Sequence, residues 1–302
     1  MKRLTAAAFL LFVFSASFAG SSVQLRLEKG KTYLQVSTTN SKISQLVQGM
    51  NMDMEMDVAS TTNFKVLDVK DTLFVIEATM SKIMTTTKSP MGVQEFSSDS
   101  KNVNDLTSML LAELSKSPFK VTLTRSGKVA EIDINTAIDK AVNSVVTLSE
   151  DQKVTLKTLF KGQFGDDNMR QTIENAFAYY PPKSVKGEKW TSNLKLKSMI
   201  VLEQQNQNEV TDVTAESVTV KYAGEMATPE NAEPALMNGM SAKYAISGTT
   251  EGTAIIDLKT GWVIKNTAIQ AMKGNVEILP NAQLPDGVQF PMTVNTTITV
   301  TQ

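Results

Sequence analysis

The stretch Met50-Asn51-Met52-Asp53-Met54-Glu55-Met56-Asp57 alternates a methionine with a polar or acidic residue at every step. A period of two is typical of a β-strand, in which successive side chains point to opposite faces. On a strand the four methionines would share one face and the four polar residues the other. The same alternation on either side predicts long strands over residues 32–39, 43–58, 64–69 and 72–87.

The middle of the chain, residues 103–182, has apolar residues at helical spacing instead. Asn135 can cap one helix, Ser149 with Gln152 forms a capping-box pattern for the next, and Asp166 or Asp167 opens a third. A hairpin over residues 119–134, turning at Ser126-Gly127, interrupts the helices. The segment is therefore predicted to supply helices and one hairpin.

Period-two alternation returns from Lys189 and continues to the end of the chain. The sequence thus predicts an α+β fold, in which long antiparallel strands from both chain ends form a curved sheet or half-barrel. The central helical block would pack against that sheet. Two separate sheets are the alternative arrangement. A short echo, Val66-x-Asp68-Val69 and Val210-x-Asp212-Val213, fits either an internal duplication or two unrelated hairpins.

The first residues have the pattern of a secretory signal peptide. Lys2 and Arg3 precede an apolar run over residues 6–14, and Ser17-Phe18-Ala19 places small residues at the cleavage positions. The run is too short for a transmembrane helix. We expect residues 1–19 to be removed and residues 20–302 to form a single domain, with N-terminal strands to 102, helices to 182 and C-terminal strands from 183. The mature chain should be exported and soluble, in the periplasm or at the cell surface, with no transmembrane segment.

Composition excludes several kinds of chemistry. The 302 residues include no His and no Cys, so disulfides, thiolate nucleophiles, imidazole relays and acylation at a cysteine are all ruled out. With 30 basic against 31 acidic residues, the chain lacks the positive charge expected of a nucleic-acid-binding protein. No phosphate-cradling glycine loop is present, and we expect no cofactor and no resident metal.

The methionine strand is the most distinctive candidate site, and three interpretations of it remain open. It could be an ordinary packed face, a deformable surface for an apolar ligand, or a thioether site for a soft metal. The metal is the weakest, because neighbouring methionines on a flat strand are about 7 Å apart. Met80 and Met84 would enlarge the surface formed by Met50, Met52, Met54 and Met56 if they share its face.

An enzyme is not expected. The candidates for paired-carboxylate catalysis are Asp133, Asp166, Asp167, Asp212 and Asp257, but none has motif-level spacing. Asp166 and Asp167 are more simply explained as helix caps, and Asp257 as a turn residue.

Three segments carry a resemblance to a known family. They are the strand entry Tyr180-Pro181-Pro182-Lys183-Ser184-Val185-Lys186-Gly187-Glu188-Lys189-Trp190, the hairpin Gly252-Thr253-Ala254-Ile255-Ile256-Asp257-Leu258-Lys259-Thr260-Gly261, and the hairpin over residues 119–129. Together they resemble an uncharacterised family of exported bacterial proteins, typical of Bacteroidota and without established activity. A looser likeness is to periplasmic lipoprotein carriers and other lipid-binding proteins, in which a curved sheet wraps helices around an apolar cavity.

The resemblance also suggests a modification site, since Asp71-Thr72-Leu73 fits the short pattern of periplasmic O-glycosylation in such bacteria, with Thr72 as the acceptor. For function, we expect a non-catalytic envelope protein that holds an apolar or lipid-like ligand between sheet and helices. The alternative is a structural or interaction module at the cell surface, with another envelope protein as its partner.

Overall fold

The structure is a computed structural model that describes residues 20, 22–47, 49–102, 105–197, 200–237, 240–282 and 284–302. The predicted signal peptide, residues 1–19, lies outside the described residues.

Thirteen strands and four helices make up the described chain. The N-terminal strands are β1 (Thr32–Val47), β2 (Met50–Lys70), β3 (Leu73–Ser89) and β4 (Gly92–Ser97). The central segment contains α1 (Leu106–Ser115), β5 (Phe119–Thr124), β6 (Val129–Asp133), α2 (Asn135–Ser144), α3 (Glu150–Phe164) and α4 (Asp166–Ala176). The C-terminal strands are β7 (Lys189–Lys197), β8 (Val201–Val213), β9 (Ser217–Ala227), β10 (Ala235–Met237), β11 (Met240–Asp257), β12 (Val263–Ile278) and β13 (Val288–Thr301).

All strands belong to one antiparallel sheet, which confirms the predicted α+β fold and excludes the two-sheet alternative. The order is β6-β5-β3-β2-β1-β13-β12-β11-β9-β8-β7, with β4 beside β3 and β10 beside β11. The last strand lies between the first strand and β12, so the two ends of the chain meet in the middle of the sheet.

The sheet consists of two topologically equivalent halves joined by β13. In the first half the order β1-β2-β3-β5-β6 follows the chain, and β7-β8-β9-β11-β12 repeats it in the second. The sequence echo lies at the same place in both halves. A β-bulge follows Val66 on β2 and Val210 on β8, and each valine pairs through its backbone with the residues around a glycine, Gly30 or Gly187. This shared geometry supports the duplication interpretation.

The helices pack against one face of the sheet, called here the inner face. The main core joins helix residues such as Leu110, Ile138 and Phe177 to inner-face residues of both halves, including Val66 and Val220. Aromatic contacts connect the helical block to the sheet. The ring centroid of Trp262 lies 5.1 Å from that of Tyr33 on β1, 5.3 Å from that of Phe64 on β2 and 5.7 Å from that of Phe177 at the end of α4. This is the closed end of the sheet, and the helices fill it.

Helix α4 covers both edges of the sheet path. The Glu174 carboxylate accepts from the Val129 amide of β6 at 2.9 Å, and the Arg170 guanidinium donates to the Val129 carbonyl. Asn175 donates to the Lys195 carbonyl of β7 at 3.0 Å. One helix therefore connects the two outermost strands and satisfies edge groups that would otherwise be free to pair with another chain.

Three glycines bend the second half of the sheet. Gly224, Gly248 and Gly274 lie on successive strands β9, β11 and β12, each at an inner-facing position. A Cβ atom there would lie 2.1, 2.0 and 2.0 Å from a carbonyl oxygen of the neighbouring strand. Only glycine permits this close approach, so the diagonal of glycines sets the inward curvature.

Several predicted boundaries were wrong. The expected strand over 43–58 is split by a hairpin turn that includes Gly49, and β2 then continues through the expected break before Phe64 to Lys70. Asp166 does not cap its own helix by a side-chain bond. Its carboxylate accepts instead from the amides of Ile134 and Asn135, at 2.8 and 3.0 Å, and so caps α2. The capping box of Ser149 and Gln152 is confirmed.

Candidate ligand site on the inner face

The inner face lacks charge throughout the described strands. Strand alternation and register place only apolar, glycine and neutral polar residues there, while Asp, Glu, Lys and Arg of the strands take the outward positions. Both halves follow this rule, including the C-terminal strands. An uncharged interior favours apolar or weakly polar contacts over recognition of an ion.

The methionines of β2 share one face, as the alternation predicts, and the register shows that it is the inner face. Met52, Met54 and Met56 of β2 pair directly with Gln45, Ile43 and Ser41 of β1, on the inner face. The alternate residues form an outer polar network, in which Asn40 donates to Asp57 at 2.6 Å and to Glu55 at 3.2 Å. The side chains of Met52, Met54 and Met56 are half-buried, so they remain accessible.

The other methionines of the candidate site are distributed differently. Met50 is 64% exposed at the start of β2, beside the hairpin turn. Met80 lies on the inner face opposite Thr62 but is buried in the closed-end core. Met84 pairs with Ala59 and therefore lies on the outer face, away from the methionine strand. The accessible inner surface is thus formed by Met52, Met54 and Met56, without Met84.

A second group of methionines continues this surface across the sheet. Following direct pairs from Met54 leads through Ile43 and Val294 to Met272, Gly248 and Met226, here called the methionine row. Met226 and Met272 are buried in an apolar cluster with Phe290 and Ile246. The methionine row is buried on the C-terminal strands, whereas Ile43 and Met54 at its other end are only half-buried. The row is therefore accessible from β1 and β2. Unbranched thioether side chains suit a surface that must adapt its shape.

One register step towards the closed end, a row of neutral polar residues crosses the same face. Direct pairs connect the members of this polar row, which are the polar residues Ser192, Asn206, Thr250, Gln270, Thr296, Ser41 and Thr87 and the two nonpolar residues Gly224 and Met56. Asn206, Thr250, Gln270, Thr296 and Ser41 are all buried. Polar side chains at this many buried positions of one row need hydrogen-bonding partners.

Not every polar group of the polar row has a hydrogen-bond partner. The hydroxyls of Ser41 and Thr296 form a hydrogen bond of 3.0 Å. The side-chain amide of Gln204 donates to the side-chain oxygen Oδ1 of Asn206 at 2.9 Å. The Asn206 amide nitrogen and the Thr250 hydroxyl, however, have no hydrogen-bond partner among the described residues, although both side chains are almost fully buried. Such orphaned groups cost free energy and are uncommon in folded proteins.

The polar row was missed by the sequence analysis. Its signal is present, because Thr296 interrupts the inward series Val294, Thr296, Ile298, and Gln270 interrupts Ala268, Gln270, Met272. One polar residue among the inward-facing residues of a strand is common, however, so it does not by itself indicate a site. Only the register shows that the interruptions on different strands fall in one row.

Beside the polar row, two tyrosines join the helical block to the sheet. The rings of Tyr179 and Tyr222 stack with centroids 4.2 Å apart, and the Tyr222 hydroxyl donates to Asn266 at 2.9 Å. Burial raises the pKa of Tyr179 well above its usual value and also raises that of Tyr222. Both phenols are therefore neutral at physiological pH, which keeps this part of the interior uncharged.

Two open grooves lie beside the methionine row. A groove of about 700 Å³ is lined mainly by outward residues such as Glu203, Gln205, Glu225 and Thr249. A second groove of about 460 Å³ is lined by Ile43, Met54 and Pro90 together with polar residues such as Lys42 and Glu55. Most residues that line these two grooves point outward, although inward residues such as Met226 and Met54 contribute, so neither groove is an enclosed apolar pocket.

The carboxylates considered for catalysis have local structural roles. Asp133 accepts from the Thr136 amide at 3.2 Å, and Asp257 accepts from the Thr260 amide and hydroxyl at 2.6 and 2.5 Å. Asp167 lies in the first turn of α4, and Asp212 follows the bulge on β8. Within the described residues, no three acidic side chains come together in a way that could hold a metal ion.

Two further sequence features have clear places in the structure. Thr72 is exposed in the tight turn between β2 and β3, next to Asp71, whose φ of 49° is left-handed. O-glycosylation there stays a prediction. Over the described part of the chain, none of the helices combines the length and the apolar character needed to cross a bilayer.

Residues 71–263, which extend from the turn before β3 to the first residue of β12, match a family described as "Family of unknown function (DUF6263)". The chain belongs to this family. The match confirms the expected resemblance to a family of unknown function. A search of the curated proteins finds none that matches the chain.

Two solved structures are similar to this chain at low sequence identity. A structure titled for lipid–protein interactions in lipovitellin is 11% identical with a TM-score of 0.47, and the match covers 91% of this chain. The chain spans 25% of that lipovitellin chain. An outer membrane channel from Pseudomonas putida F1 is 8% identical with a TM-score of 0.25, over 91% of this chain and 97% of the channel. At these scores neither likeness indicates what this member of the DUF6263 family binds.

Proposed function

We propose that this DUF6263 protein is an exported, non-catalytic envelope protein that holds an apolar or lipid-like ligand against the inner face of its sheet. The observation that carries the proposal is the accessible methionine surface of β2, continuous with the buried methionine row. Half-buried Met52, Met54 and Met56 provide apolar area that a ligand could cover. Covering such area stabilises a complex by about 25 cal/mol per Å².

The helices determine where on the inner face this ligand would lie. They pack against the closed end, where Leu110, Ile138 and Phe177 contact the sheet and fill the space between. On the other half of the inner face, the side chains of Met52, Met54 and Met56 are only half-buried. We therefore place the ligand at the open end, against Met52, Met54 and Met56, rather than deep between sheet and helices.

Export and the lack of catalysis are parts of the same proposal. Lys2, Arg3 and the apolar run that follows support a signal peptide. Absence of His and Cys from the sequence, together with the helix-capping contacts of Asp133 and Asp166 and the turn contacts of Asp257, supports a binding protein over an enzyme. A single mature domain fits the one continuous sheet formed by both chain ends.

Native mass spectrometry tests this proposal. The mature protein would be purified from its own cells without detergent, and bound lipid identified after organic extraction. We expect a stoichiometric apolar ligand, which is lost in the inward variant Met52→Gln/Met54→Gln/Met56→Gln. The outward variant Asp53→Asn/Glu55→Gln/Asp57→Asn on the same strand is the matched control and should retain it. A ligand-free mass, with no lipid taken up on titration, would refute the proposal.

A second candidate function is an interaction module at the cell surface. The hairpin tips at the open end expose apolar side chains, with Met91 88%, Val93 67% and Met50 64% exposed. Such residues are typical of contact sites for another envelope protein. A photo-crosslinking residue at Met91 should then capture one defined partner in living cells, whereas the same residue at Val154 of α3, also 64% exposed, should not. Equal labelling from both positions would count against this function.

A further inference from the structure

We propose that the inner face selects an uncharged amphiphile, whose neutral polar group binds at the polar row while its apolar chain lies across the methionine row towards the open end. This inference rests on the proposed function and specifies its ligand. The chemical class is a lipid with hydroxyl, ester or amide groups and no ionised phosphate or carboxylate. Three features of the inner face support it.

The first feature is the absence of charge. No inward position of the described strands carries Lys or Arg that could pair with an anion, and none carries Asp or Glu that could pair with a cation. Bringing an ionised group against this face would therefore remove its water without supplying a counter-charge. That cost is large compared with the desolvation of a hydroxyl or an ester.

The second feature is the pair of orphaned groups. The Asn206 amide nitrogen is a hydrogen-bond donor and the Thr250 hydroxyl is both donor and acceptor, and neither has a partner among the described residues. The two residues flank Gly224 in the polar row, since each is its direct register partner on one side. The Asn206 side chain covers Gly224, since a Cβ there would lie 2.5 Å from its side-chain oxygen, and the two neutral groups lie on either side of this glycine. They match the hydroxyl or carbonyl oxygens of a neutral head group.

The third feature is the order of the rows. The methionine row lies one register step from the polar row on the side away from the helices, followed by the row of Ile246, Gly274 and Met292 and then that of Tyr244, Val276 and Phe290. Three steps of two residues give an apolar length of about 20 Å between the polar row and the rim. A head group at the polar row would thus direct its chain towards the open end.

Three probes with an unbranched, monounsaturated C18 chain test the inference: monooleoylglycerol, oleate and 1-octadecene. Each would be titrated onto the full mature protein at pH 8.5, where oleate is ionised, and bound ligand counted by native mass spectrometry. We expect monooleoylglycerol to bind at least tenfold more tightly than oleate. Octadecene should bind as well, since the methionine row contacts only the chain. It should bind more weakly than monooleoylglycerol because it has no polar group for the polar row.

Variants locate the head group. Thr250→Val keeps the side-chain shape and removes the hydroxyl, and Asn206→Leu removes the amide. Each should weaken monooleoylglycerol binding about tenfold and leave octadecene binding unchanged. Thr249→Val, on the outer face of the same strand, is the matched control and should change neither. Cooperative unfolding of each variant would show that the fold is intact.

The outcomes separate the two proposals. If oleate binds as tightly as monooleoylglycerol, or if Thr250→Val and Asn206→Leu leave the affinity for monooleoylglycerol unchanged, the neutral-head-group inference is overturned while the proposed function stands. If none of the three probes binds, the proposed function itself fails.

Discussion

Ser41 on β1 and Thr296 on β13 share a buried hydrogen bond, with 3.0 Å between their side-chain oxygens. The two residues are 255 positions apart in the chain and lie directly opposite each other in the sheet. They connect the first half of the sheet to the last strand, in the middle of the polar row. Both residues are buried, so each hydroxyl relies on the other as its hydrogen-bond partner.

This dependence predicts an asymmetric mutational response. Ser41→Ala leaves the Thr296 hydroxyl buried without its partner and should lower the free energy of unfolding by about 1–3 kcal/mol. The double variant Ser41→Ala/Thr296→Val removes both polar groups and should recover part of that loss. Urea unfolding of the four proteins measures the coupling. Losses that simply add would mean that the two hydroxyls do not depend on each other.

Thr250 should respond in the opposite direction. Its hydroxyl is buried and has no partner among the described residues, so Thr250→Val removes a destabilising group while keeping the side-chain shape. We expect the free energy of unfolding to rise by about 1 kcal/mol. The outer-face variant Thr249→Val should stay within about 0.5 kcal/mol of the parent. A clear loss of stability in Thr250→Val would show that the hydroxyl is satisfied in solution.

The glycine diagonal can be tested by adding single methyl groups. A Cβ at Gly248 would lie 2.0 Å from the Ala271 carbonyl oxygen, and one at Gly274 equally close to that of Ala245. Gly248→Ala and Gly274→Ala should therefore each cost more than about 2 kcal/mol. Gly162 in α3 has open space at the same position, so Gly162→Ala should stabilise the protein by about 0.5–1 kcal/mol. Thermal unfolding of the three variants gives the comparison, and a mild effect at Gly248 would mean that the curvature is not set there.

The five tyrosines predict a pH dependence at the alkaline end. Burial is the largest cause of a raised pKa at Tyr33, Tyr179, Tyr180, Tyr222 and Tyr244. In the unfolded chain these phenols ionise near pH 10. Above that pH the unfolded state therefore loses protons that the folded state still holds, so the free energy of unfolding falls as pH rises. Below about pH 9 the tyrosines should contribute no pH dependence.

Absorbance of the tyrosinate ion and thermal unfolding between pH 8 and 11.5 test this together. Folded protein should show delayed ionisation, completed only when the chain unfolds. Tyr179→Phe should reduce the slope of the melting temperature against pH above pH 10. A folded-state titration centred at pH 10 for all five residues would contradict the burial of these phenols.

Local pattern predicted much of the secondary structure. The inward orientation of Met52, Met54 and Met56, the turn at Asp71 and the capping box of Ser149 all depend on neighbours within a few residues. Predictions failed where the local structure depends on a residue that is distant in the chain. Asp166 caps a helix that starts 31 residues earlier, and the hairpin turn beside Gly49 interrupts a pattern that alternates on both sides of it.

The sequence by itself determined the fold class, the orientation of the methionine strand and the absence of His and Cys chemistry, because alternation and composition are local properties of the chain. Tertiary structure alone decided that Met84 faces away from that strand, that the two halves share one sheet, and that Ser41, Thr250 and Thr296 form a single row. The reason is physical: bulges shift the phase of a strand, and the pairing register depends on hydrogen bonds between residues far apart in the chain.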